Sequence, residues 1–338
     1  MSTVWGMGMY NGYLSVKASI NLYEALVRSI LEYGAQIWGD EEFEEGEKIQ
    51  REMGRRILRC HGKTSNAAVL GELGWWRLRT RREFIKLKYW INILLMDDSR
   101  LVKRVYRLSK QAFVNKGINN WCSQIHKLAF KYHLGFLWDD ETLVSSPDHD
   151  EMGTSRKQLK MYWSKRLEEN VHKKEEIAWK QEVELKPKLR TYKTFKTELR
   201  LERYLLSEQN KPARYLLTSI RTGTNQLRIE TGRRKKPKEK VGERLCVHCP
   251  ARLVEDEKHF VLHCQAYQDL REEMFKAISE ATHQKVTFGP NDFDEHWKTL
   301  MSNNKESKIA DYLKTYVAKA FRRRKSMNPL RGGGKARG

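Results

Sequence analysis

The sequence has no run approaching the roughly 18 consecutive apolar residues that a membrane span requires. Its first residues also lack a charged region followed by an apolar stretch, so neither a transmembrane helix nor a secretory leader is expected. A Gly-rich phosphate loop with its Lys and Ser or Thr is missing, no Ser-His-Asp or Cys-His arrangement is visible, and no segment repeats. Cysteine is scarce, five in 338 residues with three of them clustered, which fits a reducing intracellular compartment, nucleus or cytoplasm. Carboxylates are outnumbered: 43 Asp and Glu against 65 Lys and Arg leave a formal charge of +22. Nucleic acid is the first partner this implies, because neutralising phosphates releases condensed counterions. An anionic membrane surface is the second, and a basic protein without either partner is the plain alternative.

What the chain does have is a metal-ligand spacing in RLCVHCPARLVEDEKHFVLHCQAYQDLR, from Arg244 to Arg271. Cys246 and Cys249 are two residues apart, nine more lead to His259, and four after that comes Cys264. A Cys-x2-Cys pair on a tight turn lets two thiolates reach one ion, and a His and Cys five apart can complete the four-ligand shell that zinc prefers. A reducible disulfide or simply buried thiols are the competing readings. His263, four residues after His259, is a rival fourth ligand, with Cys264 preferred. Three thiolates and a neutral imidazole around Zn(II) carry one net negative charge, which Arg244 and Lys258 are placed to offset. Protein would fill all four positions, so the expected metal is structural and catalyses nothing.

At 338 residues the chain is long enough for two or three domains. Periodicity predicts a mainly α protein: multi-helix bundle regions with a small CCHC zinc-knuckle module. Apolar positions from Ile20 to Leu31 predict an amphipathic helix over Val16 to Ile37, and Ile49, Met53, Ile57 and Leu58 predict a second. Another starts after Thr64 or Ser65. Further helices are expected over Phe84 to Met96, Leu101 to Leu108 and Trp121 to Phe136. Leu159, Trp163, Leu167 and Val171 then mark one long charged helix from Ser155, stopped by Pro187. Tyr192, Phe195 and Leu199 suggest the next, Leu216 to Ile220 another, and Tyr267 to Ile278 one that packs on the zinc module. Ile309, Leu313, Tyr316, Val317, Ala320 and Phe321 mark the last, ending in Arg322 to Lys325. Met1 to Gly12 reads as a lead-in from inside a larger protein, Asp148 to Gly153 as a linker, and the tail from Asn328 as disordered.

Three basic groups are candidates for phosphate contact. Arg233, Arg234, Lys235, Lys236, Lys238 and Lys240 form the densest positive run, directly before the zinc ligands, where a folded knuckle would hold them in place. Arg77, Arg79, Arg81 and Arg82 follow Trp75 and Trp76, which could stack bases but read slightly better as core. Arg190, Lys193, Lys196, Arg200 and Arg203 are expected to be exposed, lining a track or merely solvating a helix face. Leu137-Trp138-Asp139-Asp140 superficially matches the aromatic-x-Asp-Asp turn of polymerase palms, where paired carboxylates hold metal ions. It lacks a third upstream carboxylate in a strand setting, so it is not read as catalytic.

LRIETGRRKKPKEKVGERLCVHC followed by VEDEKHFVLHCQAYQDLR resembles the zinc-knuckle region near the C-terminus of non-LTR (LINE-type) retrotransposon reverse transcriptases. LYEALVRSILEYGAQIWG, from Leu22 to Gly39, and GELGWWRLRTRR, from Gly71 to Arg82, are similar to the thumb-side and post-thumb segments of those polyproteins. KLRTYKTFKTELRLERYL, from Lys188 to Leu205, is of the same type, and the family carries a GFLW-type run in its noncatalytic C-terminal part. The resemblance runs from about Leu14 to Leu270. It implies a thumb-like segment over 1–62, a post-thumb region over 63–147, a linker and long charged helix over 148–187, basic helices with the zinc knuckle over 188–278, and a C-terminal helix and basic tail over 279–338.

It further implies a zinc-stabilised fragment that holds RNA, DNA or both, with no membrane partner and no small-molecule substrate. The family's palm aspartates and endonuclease are not matched, so no polymerase or nuclease activity is expected of this chain on its own. A zinc-containing protein-interaction adaptor derived from a transposable element is the alternative.

Overall fold

Side chains three and four apart on the same helix face direct nearly every element, as the computed structural model of residues 14–145, 155–207, 211–282, 293–302 and 307–327 shows. The lead-in, the linker and the tail expected from the sequence lie outside these residues. Eleven helices of eight or more residues organise what is described. They are α1 (Val16–Tyr23), α2 (Glu44–Leu58), α3 (Asn66–Leu73), α4 (Leu78–Leu94), α5 (Leu101–Lys116) and α6 (Trp121–Lys131). After these come α7 (Arg156–Glu184), α8 (Lys211–Arg221), α9 (Gln268–Thr282), α10 (Phe293–Met301) and α11 (Ser307–Met327). Among the described residues, β structure amounts to two isolated antiparallel bridges, Leu73 with Leu201 and Leu245 with Val254. The mainly α expectation holds.

Two compact units divide the described chain, and they interleave in sequence. One is built from Asn21–Met53 and Trp75–Gln181. Its core joins Leu87, Trp90, Ile91 and Leu94 of α4 to Ile125 and Leu128 of α6, and to Leu159, Trp163, Leu167 and Val171 of α7. The last four recur every fourth residue, which keeps one stripe of a 29-residue helix against the core while its charged sides face water. Asn120 caps α6 by accepting from the Cys122 and Ser123 amides, and Ser123 returns a bond to the Asn120 amide. Trp90 donates to the Tyr106 hydroxyl at 3.1 Å, which donates in turn to Glu141 at 2.7 Å, so the indole and phenol enter the core with their polar atoms satisfied.

The other unit takes residues 14–20, Gly54–Gly74 and those from Glu182 on. Its centre is ionic. Glu72 is fully buried, and Arg221 holds it through Nε at 3.0 Å and Nη2 at 2.9 Å. Arg221 also reaches Glu202 at 2.7 Å, and Glu202 pairs with the buried Lys196 at 2.5 Å. Tyr204 donates to Glu72 at 2.6 Å. Such charges remain ionised inside a protein only when partners replace the lost water. Gly74, at φ +65°, makes this approach possible: a Cβ there would lie 2.3 Å from the Leu201 amide nitrogen. Around the network, α11 packs against α8 and α9, burying Leu313, Tyr316, Val317 and Ala320 as the sequence pattern foresaw.

Three expectations need correction. The single helix from Val16 to Ile37 is interrupted, because Gly34 turns left-handed at φ +72° and a separate helical turn, Ala35–Trp38, follows. The helix over Trp121 to Phe136 likewise stops at Lys131 and resumes at Gly135–Asp139, with His133 at φ 57° between them. Leu137 to Asp140 therefore forms the end of a helix, and Asp140 caps the next turn by accepting from the Thr142 amide at 2.9 Å. Tyr192, Phe195 and Leu199 do not share a helix either. Only Tyr192–Phe195 is helical, and the chain then extends into the bridge at Leu201.

Candidate metal centre

A short hairpin starts the site. The Leu245–Val254 bridge is flanked by bonds from the Cys246 amide to the Leu253 carbonyl (2.8 Å) and from the Glu255 amide to the Arg244 carbonyl (2.9 Å). Its tip carries Cys246 and Cys249. The chain then enters a helical turn at His259–His263, whose first residue is fixed by Asp256 accepting from the His259 amide at 2.8 Å. The Cys264 amide closes that turn on the His259 carbonyl at 2.8 Å. Phe260, Val261 and Leu262 point inward and anchor the turn by burial.

These elements bring one ligand atom each from Cys246, Cys249, His259 and Cys264 within 4.8 Å of one another. The Cys246 and Cys264 sulfurs are 3.9 Å apart, and the Cys249 sulfur is 3.5 Å from His259 Nε2. Disulfide sulfurs sit about 2.05 Å apart, so the thiols are free. His263, the rival ligand, is not part of the cluster and packs its ring on Phe293 at 4.2 Å. Cys264 takes the fourth place. The hydrogen bond from Cys264 lowers the Cys246 thiol below its ordinary range and raises the donor's own. A cluster of this composition could hold a metal ion.

The surroundings are more ionic than the sequence suggested. Glu255 and Glu257, both buried beside the ligands, are clamped by arginines from distant segments. Arg324 of α11 grips Glu255 with two bonds of 2.9 Å, and Arg190 donates to both oxygens of Glu257 at 2.7 and 2.8 Å. Asn225 adds a third donor to Glu257 at 3.0 Å, although burial still raises that carboxyl. Sequence reasoning missed this pair; the one available signal was the Glu255-Asp256-Glu257 run packed so close before His259. Arg244 and Lys258, expected to offset the centre's charge, have partners of their own. Arg244 donates to the Ile229 and Glu239 carbonyls at 2.8 and 2.7 Å, and Lys258 pairs with Asp294. Arg324 is the cation whose field reaches both Cys246 and His248.

The three basic groups fare differently. In the run before the ligands, Arg233 pairs with Glu230 at 2.6 Å, Arg234 donates to the Asn225 carbonyl at 3.1 Å, and Lys235 pairs with Glu239. Lys236, Lys238 and Lys240 stand exposed, with no ion pair among the described residues. In the group after Trp76 the correction falls on Arg82. Arg82 is fully buried, stacked over Trp38 and Phe43 at 4.9 and 5.3 Å, and burial lowers its pKa. Arg77 is bidentate on Glu175 at 2.8 and 2.9 Å, Arg81 bonds Glu32 at 2.5 Å, and Arg79 bonds Glu83 at 3.2 Å. In the Arg190 group the expected exposure fails at Lys196, which is buried on Glu202, while Arg190 is partly exposed and pairs with Glu257, and Lys193, Arg200 and Arg203 are exposed. Trp75 is core, stacked on Tyr23 at 4.7 Å.

Compared with protein-family models, curated proteins and solved structures, the chain matches none. No helix among the described residues is long and apolar enough to cross a membrane.

Proposed function

We propose that this chain is a zinc-stabilised, nucleic-acid-binding segment of the kind found at the C-terminus of non-LTR retrotransposon reverse transcriptases, and that it holds RNA or DNA without chemistry of its own. The observation that carries the reading is the four-ligand cluster set directly after the exposed Lys236, Lys238 and Lys240. Two separations within a cluster that spans up to 4.8 Å support zinc as the ion. Bonds of about 2.3 Å to sulfur and 2.05 Å to nitrogen, in a tetrahedron, require sulfurs about 3.8 Å apart and a sulfur–nitrogen separation of about 3.6 Å. The observed separations are 3.9 and 3.5 Å. Cys246, Cys249, His259 and Cys264 would supply the whole shell and leave no place for a reacting water. The ion's role would be to fix the hairpin against the His259–His263 turn. Lysines just before that hairpin are then presented from a rigid base, which lowers the entropy lost on gripping a phosphate backbone.

The test is filter binding of structured RNA, single-stranded DNA and duplex across a salt series, with and without a strong chelator. Binding through six or more phosphates falls roughly a thousandfold from low to high salt. Replacing Lys236, Lys238 and Lys240 with Ala should flatten that dependence, and chelation should weaken binding. Affinity that ignores salt, chelator and substitution alike would sink the reading. A protein-docking adaptor is the second reading, favoured by Leu101, Val105 and Leu108, which expose 72%, 55% and 67% of their surface along one side of α5. An adaptor's partner would bind with weak salt dependence, and the chain would ignore RNA.

A further inference from the structure

A second cationic surface lies wholly within the unit formed by Asn21–Met53 and Trp75–Gln181, far along the sequence from the metal ligands. There α4 and α7 border an open groove of about 580 Å³. Four lysines line it: Lys88 on α4, and Lys157, Lys160 and Lys165 on α7. Ile91, Met161 and Tyr162 provide apolar surface in the groove, and Met161 is 64% exposed. One carboxylate, Glu168, stands among the lining residues.

These lysines lack ion pairs. Many other cations of the chain sit on its own carboxylates, as Arg77, Arg81, Arg190, Lys196 and Arg324 do, while Lys236, Lys238 and Lys240 share the unpaired state of the groove lysines. Lys88, Lys157, Lys160 and Lys165 have no ion pair among the described residues. Four like charges held around one groove repel each other, and of the lining residues only Glu168, with the Phe84 ring near Lys88, stands against that repulsion. A polyanion would.

The choice of lysine narrows the anion. Every two-pronged grip on a carboxylate described above is made by arginine, whose planar fork matches two oxygens. Lysine is a point charge that suits a phosphate backbone without fixing its orientation. Residues 157 to 165 cover about 12 Å of helix axis, a length over which a nucleic-acid strand passes roughly three to four phosphates. Cationic walls over an apolar, aromatic surface are how single strands are held without sequence preference.

We infer that the α4–α7 groove binds single-stranded nucleic acid, with Lys88, Lys157, Lys160 and Lys165 on phosphates and Tyr162 with Met161 beneath the bases. The inference shares with the proposed function the class of polymer but not the site.

The experiment is fluorescence anisotropy of the full chain, metal loaded, with labelled oligouridylate and oligothymidylate across a salt series. Changing all four lysines to Ala should lower the slope of log affinity against log salt by about 2.8, from about 0.7 per phosphate on a single strand. Tyr162→Leu should weaken binding about tenfold with the slope unchanged. The melting temperature should stay near the parent value, because the four lysines have no ion pair among the described residues and only the cation–π contact of Lys88 with Phe84, at 5.7 Å, is lost. An unchanged slope in the four-lysine variant overturns the inference. If the Lys236, Lys238 and Lys240 variant alone loses binding, the groove is wrong and the proposed function stands. If the groove variant alone loses binding, the groove stands and the arm assignment falls. No binding by the parent chain overturns both. Polyglutamate or phosphatidylserine vesicles competing as well as oligonucleotide, charge for charge, would assign the groove to another class of partner and overturn the inference.

Discussion

Arg324, in the last turn of α11, closes both ends of its guanidinium on Glu255, a carboxylate only 1% exposed that lies nine residues before Cys264. The same carboxylate accepts from the Arg228 amide at 2.7 Å, so the C-terminal helix, the hairpin and the segment before it meet on one side chain. Arg324→Leu leaves that charge buried and unmatched and should cost about 3–5 kcal/mol. Arg324→Lys, which cannot form the fork, should recover only part of it. Chemical denaturation of the metal-loaded chain measures both.

The ligand assignment predicts a sharp contrast between adjacent residues. Cys264→Ser should abolish metal binding, as should Ser at Cys246 or Cys249 and Ala at His259, and each should lower the melting temperature as strongly as chelation does. His263→Ala should leave the metal in place. Native mass spectrometry reads the occupancy directly.

Within the group after Trp76, burial and exposure should separate the arginines. Arg82→Ala removes a guanidinium packed between two aromatic rings and a bond to the Glu41 carbonyl, and should cost on the order of 2 kcal/mol. Arg79→Ala, at a half-exposed position, should cost under about 1 kcal/mol. Neither should change the salt dependence of nucleic-acid binding, which tests the correction made to this group.

Asp269 of α9 pairs with Arg323 of α11, and the hydrogen bond from Arg323 holds its carboxyl down to about 2. The folded value lies below the unfolded one, so the pair's contribution is present above the ordinary Asp range near 3.8 and disappears as pH falls toward 2. Asp269→Asn should therefore lower stability at neutral pH and converge with the parent in acid. NMR titration of the Asp269 side chain checks the value itself.

Much of the centre was legible because the information is local. The ligand set needs only a turn between Cys246 and Cys249 and a helical turn from His259, and both follow from nearby residues. The stripe from Leu159 to Val171 likewise announced α7. Helix ends were less legible: Gly34 and His133 take left-handed conformations that split two expected helices. The basic groups were least legible of all. Arg81 and Lys88 look alike in the sequence, yet one bonds Glu32 and the other has no ion pair among the described residues.

The chain's sequence alone determined that it would be helical, strongly basic and furnished with four soft and imidazole ligands at metal spacing, because periodicity, composition and spacing are properties of neighbours along the backbone. Only the tertiary structure decided which cations remain available. Pairing depends on contacts between residues as distant as Arg77 and Glu175, 98 positions apart, and a carboxylate's field reaches a guanidinium through space without leaving a mark on the sequence between them.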